Sequence, residues 1–388
     1  MCFLRFIIVP LLFIVSCSHQ KNESPFKPSV DGSSLHPVDA RLPHSDKKPL
    51  EIYHERFADI NITSLPDNLI LLYRFLNGYH SQLRSVELDL FVSGNDIDVS
   101  AIDEDILAIL DKKEDRLILY NLQNHRFAEI AKRGSETGDL LFSKEMQTVD
   151  QKIYITTRDG LSLFDCETLP CRQEKIYHTD FYTYSTALTD SNYYALGIYT
   201  ALTEAHHKGS YKLHKIAGNG RVQSSFSPGY ENPNLKVRQA LTENSLIRYS
   251  SQYRLIVLAY SSFPYLYFYN PKGEYQYKIE LSEFKQRFYE FNEKTKFGRF
   301  LKYDYSTISR IETINKHWLL VVTRQFTIDH TKNTTHVSYA YSLLHLGKKK
   351  LYNIGNDFNF VSNEERVIKL TDHGLLINQS GTLYWVPL

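Results

Sequence analysis

The sequence predicts an all-β protein, a six-bladed β-propeller, and three observations lead there. First, the chain carries 28 Tyr and 22 Phe against 2 Met, and aromatic and β-branched side chains fit the pleated surface of a strand. Second, a short strand-like motif recurs: Leu117-Ile-Leu-Tyr-Asn-Leu122, Leu161-Ser-Leu-Phe-Asp-Cys166, Tyr211-Lys-Leu-His-Lys-Ile216, Leu266-Tyr-Phe-Tyr-Asn-Pro271, Tyr341-Ser-Leu-Leu-His-Leu346 and Leu383-Tyr-Trp-Val-Pro-Leu388. Most successive motifs begin roughly 40–55 residues apart, the length of one four-stranded blade. Third, each motif follows another strand-like segment: 106–110, 152–156, 193–198, 254–259, 318–323 and 374–377. The first five are also followed by one, and turn signals such as Asn270-Pro271-Lys272-Gly273 lie between; there Pro fixes φ and Gly permits positive φ.

The sixth motif ends at Leu388, so its blade lacks an outer strand. Two early segments, Leu69–Phe75 and Ser85–Phe91, are strand candidates that could supply it. Such a closure joins both chain ends in one blade and covers exposed sheet edges. The interval between the fourth and fifth motifs is longer. It contains Phe284, Phe288 and Phe291 at i, i+4 and i+7, a helical stripe. A short helical insertion between blades 4 and 5 is therefore expected, covering the ring with its aromatic face.

At the N-terminus, a weakly basic start is followed by the apolar run Phe6–Val15. The run is about half the length a spanning helix needs and matches the core of a signal peptide. It ends in Ile14-Val15-Ser16-Cys17, which resembles the bacterial lipobox: an aliphatic residue, a spacer, a small residue, then cysteine. Residues 1–16 are accordingly expected to be removed and Cys17 to carry lipid. Several acyl chains, at roughly 0.8 kcal/mol per buried methylene, would hold the protein at a membrane. Ser18 in place of Asp after the cysteine points to the outer membrane by the sorting pattern of such lipoproteins. Pro25, Pro28, Pro37, Pro43 and Pro49 recur among Ser, Asp, His and Lys, so residues 17–60 are expected to be an extended tether and 61–388 the propeller.

The formal net charge is +1, from 45 basic and 44 acidic residues, which supplies no overall attraction to nucleic acid. Cys2 falls within the expected signal peptide. Cys166 and Cys171 lie between two apparent strands, where an exported protein could bond them across a hairpin; two unbonded thiols are the alternative. Two cysteines without a nearby His or second Cys pair make an incomplete metal set. His206-His207, and Asp329-His330 with His336, read as polar loops. A P-loop, a Gly-x-Ser-x-Gly elbow, a His-Glu-x-x-His and a dinucleotide fingerprint are missing from the sequence, so no cofactor is expected. The tyrosines suit a sugar- or peptide-binding platform, or blade packing.

Lys132-Arg-Gly-Ser-Glu-Thr-Gly-Asp139 is similar to the Arg-Gly-x-Gly-Pro-Gly-Glu loop of the TolB-like six-bladed propeller lipoproteins of Bacteroidetes. Arg133, Gly134 and Gly138 match, Asp139 stands where that motif has Glu, and Glu136 and Thr137 replace its middle Gly and Pro. The resemblance implies fold and address, not an activity. Arg133 is a candidate for binding an anion or for clamping Glu136 or Asp139. The expected function is a lipid-anchored envelope module that binds a protein, peptide or glycan. The alternative is a glycan-acting hydrolase or lyase with its site in the central funnel.

Overall fold

The computed structural model describes most of residues 65–388, apart from 78–83, 89–95, 199–211, 229–240, 358–366 and single or paired positions between. Before residue 65 it describes two short strands, Ser34–His36 and Glu55–Arg56. The expected signal peptide, Cys17, most of the expected tether and His206-His207 lie outside the described residues.

Six small antiparallel sheets form the body. Blade 1 holds Ile97–Ala101, Ile106–Asp111, Arg116–Asn121 and Arg126–Ala131. Blade 2 holds Ser143–Val149, Lys152–Thr157, Gly160–Asp165 and Arg172–His178. Blade 3 holds Tyr182–Leu188, Asn192–Ile198, Lys212–Ala217 and Val222–Pro228. Blade 4 holds Leu246–Ser250, Leu255–Ala259, Tyr265–Tyr269 and Tyr275–Glu280. Blade 5 holds Tyr305–Thr313, Trp318–Asp329, Thr334–His345 and Lys350–Asp357, with Glu55–Arg56 added in parallel on its outer edge. Blade 6 holds Val367–Leu370, Gly374–Gln379 and Thr382–Pro387. Its outer strand is Val86–Glu87, which pairs with Trp385 and Tyr384. The N-terminal segment thus closes the ring, as the missing sixth outer strand predicts.

Burial follows position within a blade. The second strand of blade 1 is buried along its whole length, because neighbouring blades cover both faces. Its outer strand is mostly exposed. The tyrosines mainly pack: Tyr120, Tyr194, Tyr260, Tyr267 and Tyr341 are all fully buried. The Asn270–Gly273 turn forms as its residues suggest, with Asn270 Oδ1 accepting the N–H groups of Lys272 and Glu274, each at 3.0 Å. Gly273 has φ +86° and faces the Phe226 ring, where a Cβ would sit 2.5 Å from the ring, so position and conformation both require glycine.

Two expected elements differ. Leu69–Phe75 is not a strand but the core of the helix Asp67–Leu76, the one α-helical element among the described strands and helices. A continuous apolar run cannot be assigned by periodicity alone. Pro66 precedes the helix, Asp67 lies in its first turn and Arg74 in its last, an order that suits the helix dipole. Leu69, Leu72 and Phe75 fill the wedge between blades 5 and 6, against Leu320, Leu343, Leu375 and Ile377. With the strands of both blades already paired, this wedge offers apolar contact but no edge to extend.

The insertion before blade 5 is likewise not helical. Tyr289–Asn292 and Phe297–Phe300 form a hairpin, with Ser34–His36 as its third strand. Asn292 Oδ1 accepts the N–H groups of Lys294 at 3.0 Å and Thr295 at 3.1 Å, which turns the chain. Tyr289 stands opposite Phe300, ring centroids 4.9 Å apart, an aromatic cross-strand pair that favours the sheet. Phe284 packs instead against the seam between blades 4 and 5.

Replacing the fully buried Leu72 with Ala is expected to destabilise the protein by roughly 3–4 kcal/mol in chemical denaturation. Arg74→Ala, on the exposed face of the same helix, should change stability by no more than about 0.5 kcal/mol.

Candidate functional site: the central funnel

The innermost strand of each blade runs along the axis of the ring, and in five blades it carries a charge there. Blade 1 supplies Asp98, blade 2 Glu145, blade 4 Arg248, blade 5 Arg310 and Glu312, and blade 6 Lys369. Blade 3 supplies Ser185 and Thr186. The three carboxylates and three cations form an electrically balanced cluster, in which Glu312 has ion-pair neighbours but neither of its oxygens has a hydrogen-bond partner.

Glu145 is the most heavily engaged. Arg248 Nη1 lies 2.9 Å from its Oε2, while the Ser185 hydroxyl and the Thr186 N–H each donate to its Oε1 at 2.7 Å. Lys369 bridges blades, with its Nζ 3.2 Å from Asp98 Oδ1 and 3.2 Å from Glu312 Oε1. Arg310 reaches Glu312 at 3.4 Å. The remaining seams are also tied by polar contacts. The Met146 N–H donates to Asp98 at 2.9 Å and the Gln147 amide to the Thr186 carbonyl at 2.6 Å. The Ile247 N–H donates to Ser185 at 3.1 Å, and that of Ile308 to the Ser261 carbonyl at 2.9 Å.

Burial disfavours the charged forms of Asp98, Lys369 and Arg248, yet their partners prevail. Asp98 is held below its ordinary value of 3.8: burial pushes it up, but Lys369, Lys112 and the Met146 N–H pull it down further. Lys369 is raised above 10.5: burial lowers it, and the carboxylates of Asp98 and Glu312 outweigh both that and repulsion from Arg248 and Arg310. Arg248 is raised for the same reason, burial being outweighed chiefly by Glu145.

The cluster forms a floor. Next to it opens a cavity of about 540 Å³, lined by residues 100–102, 146–149, 151, 188, 248–251, 312–316 and 369–373, from all six blades. Its lining includes Lys316, Asp372 and His373. A second cavity of about 700 Å³ adjoins it, sharing Val149, Leu188, Tyr249 and Ser251, and runs along blades 2 and 3. Tyr154, Tyr177 and Tyr193 line this cleft. The Tyr193 hydroxyl is buried without a hydrogen-bond partner, and burial, then Tyr177, pushes its pKa upward. Funnel and cleft together present tyrosine rings beside polar backbone and side-chain groups, a lining suited to a ligand with flat apolar faces and hydroxyl groups.

The residues singled out in the sequence lie elsewhere. Arg133 projects from the blade 1–2 connection, with its Nε 3.1 Å from Asp115 Oδ2 and its Nη2 donating to the Lys113 carbonyl. It therefore pairs with neither Glu136 nor Asp139. Asp115 in turn accepts from the Ser143 N–H at 2.7 Å and hydroxyl at 2.6 Å, so this contact ties a blade 1 turn to the start of blade 2. Gly134 lets Asp139 approach closely: its carboxylate would lie 1.9 Å from an added Cβ and would have to move aside for a larger residue. Cys166 and Cys171 are bonded to each other across the hairpin joining the third and outer strands of blade 2, and both are buried. Asp329 and His330 lie at the tip of the long blade 5 hairpin, and His336 on its returning strand. Among the described residues, no group of three or more His, Cys, Asp or Glu could hold a metal ion.

Sequence reasoning missed the axial charges. Their signal is a charged residue between strand-forming neighbours on the first strand of four of the six repeats: Ile97-Asp98-Val99, Ile247-Arg248-Tyr249, Ile311-Glu312-Thr313 and Ile368-Lys369-Leu370. It becomes visible only when repeats are aligned on their first strand, not their third.

No protein-family model matches the chain, and no curated protein matches it. Solved structures do. A streptogramin B lyase is 9% identical, with a TM-score of 0.44 over 79% of this chain and 98% of that one. A protein of unknown function from Bacteroides thetaiotaomicron is 8% identical, with a TM-score of 0.46 over 78% of this chain and 72% of that one. A protein of Bacteroides fragilis described as exported is 13% identical, with a TM-score of 0.46 over 70% of this chain and 75% of that one. Likeness at this level carries nothing about ligand or activity. None of these three is described as TolB-like.

Two outcomes follow from the axial cluster. Glu145→Leu leaves Arg248 buried and unpaired, which is expected to cost about 3–5 kcal/mol; the double variant Glu145→Leu/Arg248→Met should recover most of that loss. The stability supplied by Asp98, whose pKa is lowered, is present above 3.8 and lost as pH falls through its folded value. That from Lys369, whose pKa is raised, is present below 10.5 and lost as pH rises through its folded value. Melting temperature against pH should therefore show a shallower acid limb in Asp98→Asn than in the wild type.

Proposed function

We propose that the protein is a binding or scaffold module of the bacterial cell envelope, anchored to the outer membrane by lipid on Cys17, that takes its ligand at the funnel and the adjoining tyrosine cleft. The observation that carries the non-enzymatic reading is the state of the axial charges. A general acid or base works best with a pKa near the operating pH and a free position facing the reacting atom. Asp98 is driven down and Lys369 up, away from neutrality, and Glu145 already accepts from three donors at 2.7–2.9 Å. These groups are committed to one another, and what is left open is a rigid receptacle. Cleavage before Cys17 and a proline-rich tether would place that receptacle at a distance from the lipid surface.

The rings of the cleft favour a glycan over a charged polymer, since stacking on tyrosine and hydrogen bonds to hydroxyls are what the lining offers. A glycan-acting hydrolase or lyase remains the second reading. Its candidate residues at the funnel are Asp372 and His373, which line the cavity outside the axial cluster.

In cells fed labelled palmitate, the wild type should acquire label and Cys17→Ala should not; label on both, or on neither, removes the anchor. On a panel of neutral oligosaccharides, binding should weaken roughly tenfold in Tyr249→Ala and persist in Asp372→Asn/His373→Ala. Release of shortened sugars by the wild type but not by that double variant would establish the enzymatic reading instead.

A further inference from the structure

We infer that the hairpin inserted before blade 5 and the overhanging tip of blade 5 form a second ligand site, one that recognises the carboxylate of an acidic sugar through Arg287. This site lies apart from the funnel and stands independently of the reading given for it.

Two cations that flank Arg287 in the insertion have counter-ions. Lys285 pairs with Asp304 at 2.9 Å, and Arg299 with Glu290 at 3.0 Å. Arg287 has no ion pair among the described residues, and its Nε is buried without a hydrogen-bond acceptor. Its guanidinium carbon lies 3.6 Å from the centroid of the Phe300 ring and 4.4 Å from that of Tyr305. Tyr305 is held in turn by stacking on Phe326, centroids 4.3 Å apart and planes 9° apart. Ring contacts of this kind engage the faces of a guanidinium. They leave its in-plane N–H edge, the part that forms two parallel hydrogen bonds to a carboxylate.

That group lines a cavity of about 300 Å³, together with Lys302, Asn333, Thr334 and Thr335. The volume stands at the lower end of small-molecule sites and suits one sugar ring. The composition is specific: a fixed cation for the acid, an exposed lysine at the rim, hydroxyl and amide groups for sugar hydroxyls, and aromatic side chains behind. Two carboxylates next in sequence to residues lining the cavity are engaged elsewhere. Asp304 is taken by Lys285 and the Ile328 N–H, and Asp329 is turned into its own loop toward Thr331 and Lys332. Burial without a partner also lowers the pKa of Arg287, as expected of a cation whose counter-ion arrives from outside.

The test is thermal melting and calorimetric titration of the full chain with galacturonate, with galactose, inorganic phosphate and chloride as the comparison arms. Galacturonate should raise the melting temperature and bind with one site per chain, and galactose should not. Arg287→Lys, which keeps the charge but not the forked edge, should bind galacturonate at least tenfold more weakly. Arg287→Met should lose binding and, without ligand, melt no lower than the wild type, because it removes an uncompensated charge. Equal stabilisation by phosphate or chloride would overturn the carboxylate assignment. A clear drop in the melting temperature of Arg287→Met, with no response of the wild type to galacturonate, would show the arginine to be a ring-stacking strut and end the proposal.

Discussion

The ring depends on a balance of charge along its own axis. Closing six sheets into a circle brings their innermost strands together where little water can follow, and ions placed there are costly unless paired. This chain places Asp98, Glu145 and Glu312 against Arg248, Arg310 and Lys369. Most of the pairs link one blade to another: Arg248 reaches from blade 4 to blade 2, and Lys369 reaches from blade 6 to blades 1 and 5. Such pairs add less net stability than an apolar core of the same volume. Their effect is to penalise alternatives, because slipping one inner strand by a residue would turn its charge into a blade interior and orphan a partner elsewhere.

The same balance shapes what the molecule can bind. A propeller axis left open is a channel; one filled by its own ion pairs is a funnel with a floor. The floor is near neutral as a whole, so attraction for a ligand has to come from the walls, where tyrosines of blades 2 to 4 and the polar ends of inner strands are exposed to the cavity. In the proposed reading, charges that stabilise the fold are thereby separate from the groups that would meet a ligand. Arg287 belongs to neither set. It is a cation in an insertion, resting on rings and lacking the carboxylate that its neighbours Lys285 and Arg299 each have.

How much of this was legible in the sequence depends on the range over which each feature is determined. The third strand of each blade sits between two others and is buried over much of its length in blades 1, 2 and 4, so its apolar motif marks the blades. Blade 6 could be completed by counting: five repeats had a strand that the sixth lacked. The helix Asp67–Leu76 and the hairpin of residues 289–300 were misassigned because their local patterns fit both states. Leu69–Phe75 is apolar at nearly every position, and Phe284, Phe288 and Phe291 stand at helical spacing by coincidence. What decided each was a distant surface: the wedge between blades 5 and 6 for one, the cross-strand ring of Phe300 for the other. The axial cluster was illegible for the same reason, carried further. Lys369 and Asp98 are 271 residues apart in the chain, and nothing near either announces the other.

The departures of blade 5 from its siblings then have a common explanation. Its middle strands, Trp318–Asp329 and Thr334–His345, are each 12 residues long, where those of blade 4 are 5. Only the first five residues of Trp318–Asp329 are buried, so the ring core uses less than half of that strand. The remainder extends past the blade and meets the inserted hairpin through Phe326, Tyr305, Phe300 and Arg287. Ordering such an overhang costs about 1–2 kcal/mol of backbone entropy per residue, and the few rings it gathers offset this incompletely. A packed end would have turned apolar side chains inward and matched every charge. This one ends in a small cavity with a bare guanidinium at its wall, which is the form a site takes when the last contact is supplied by something other than the chain itself.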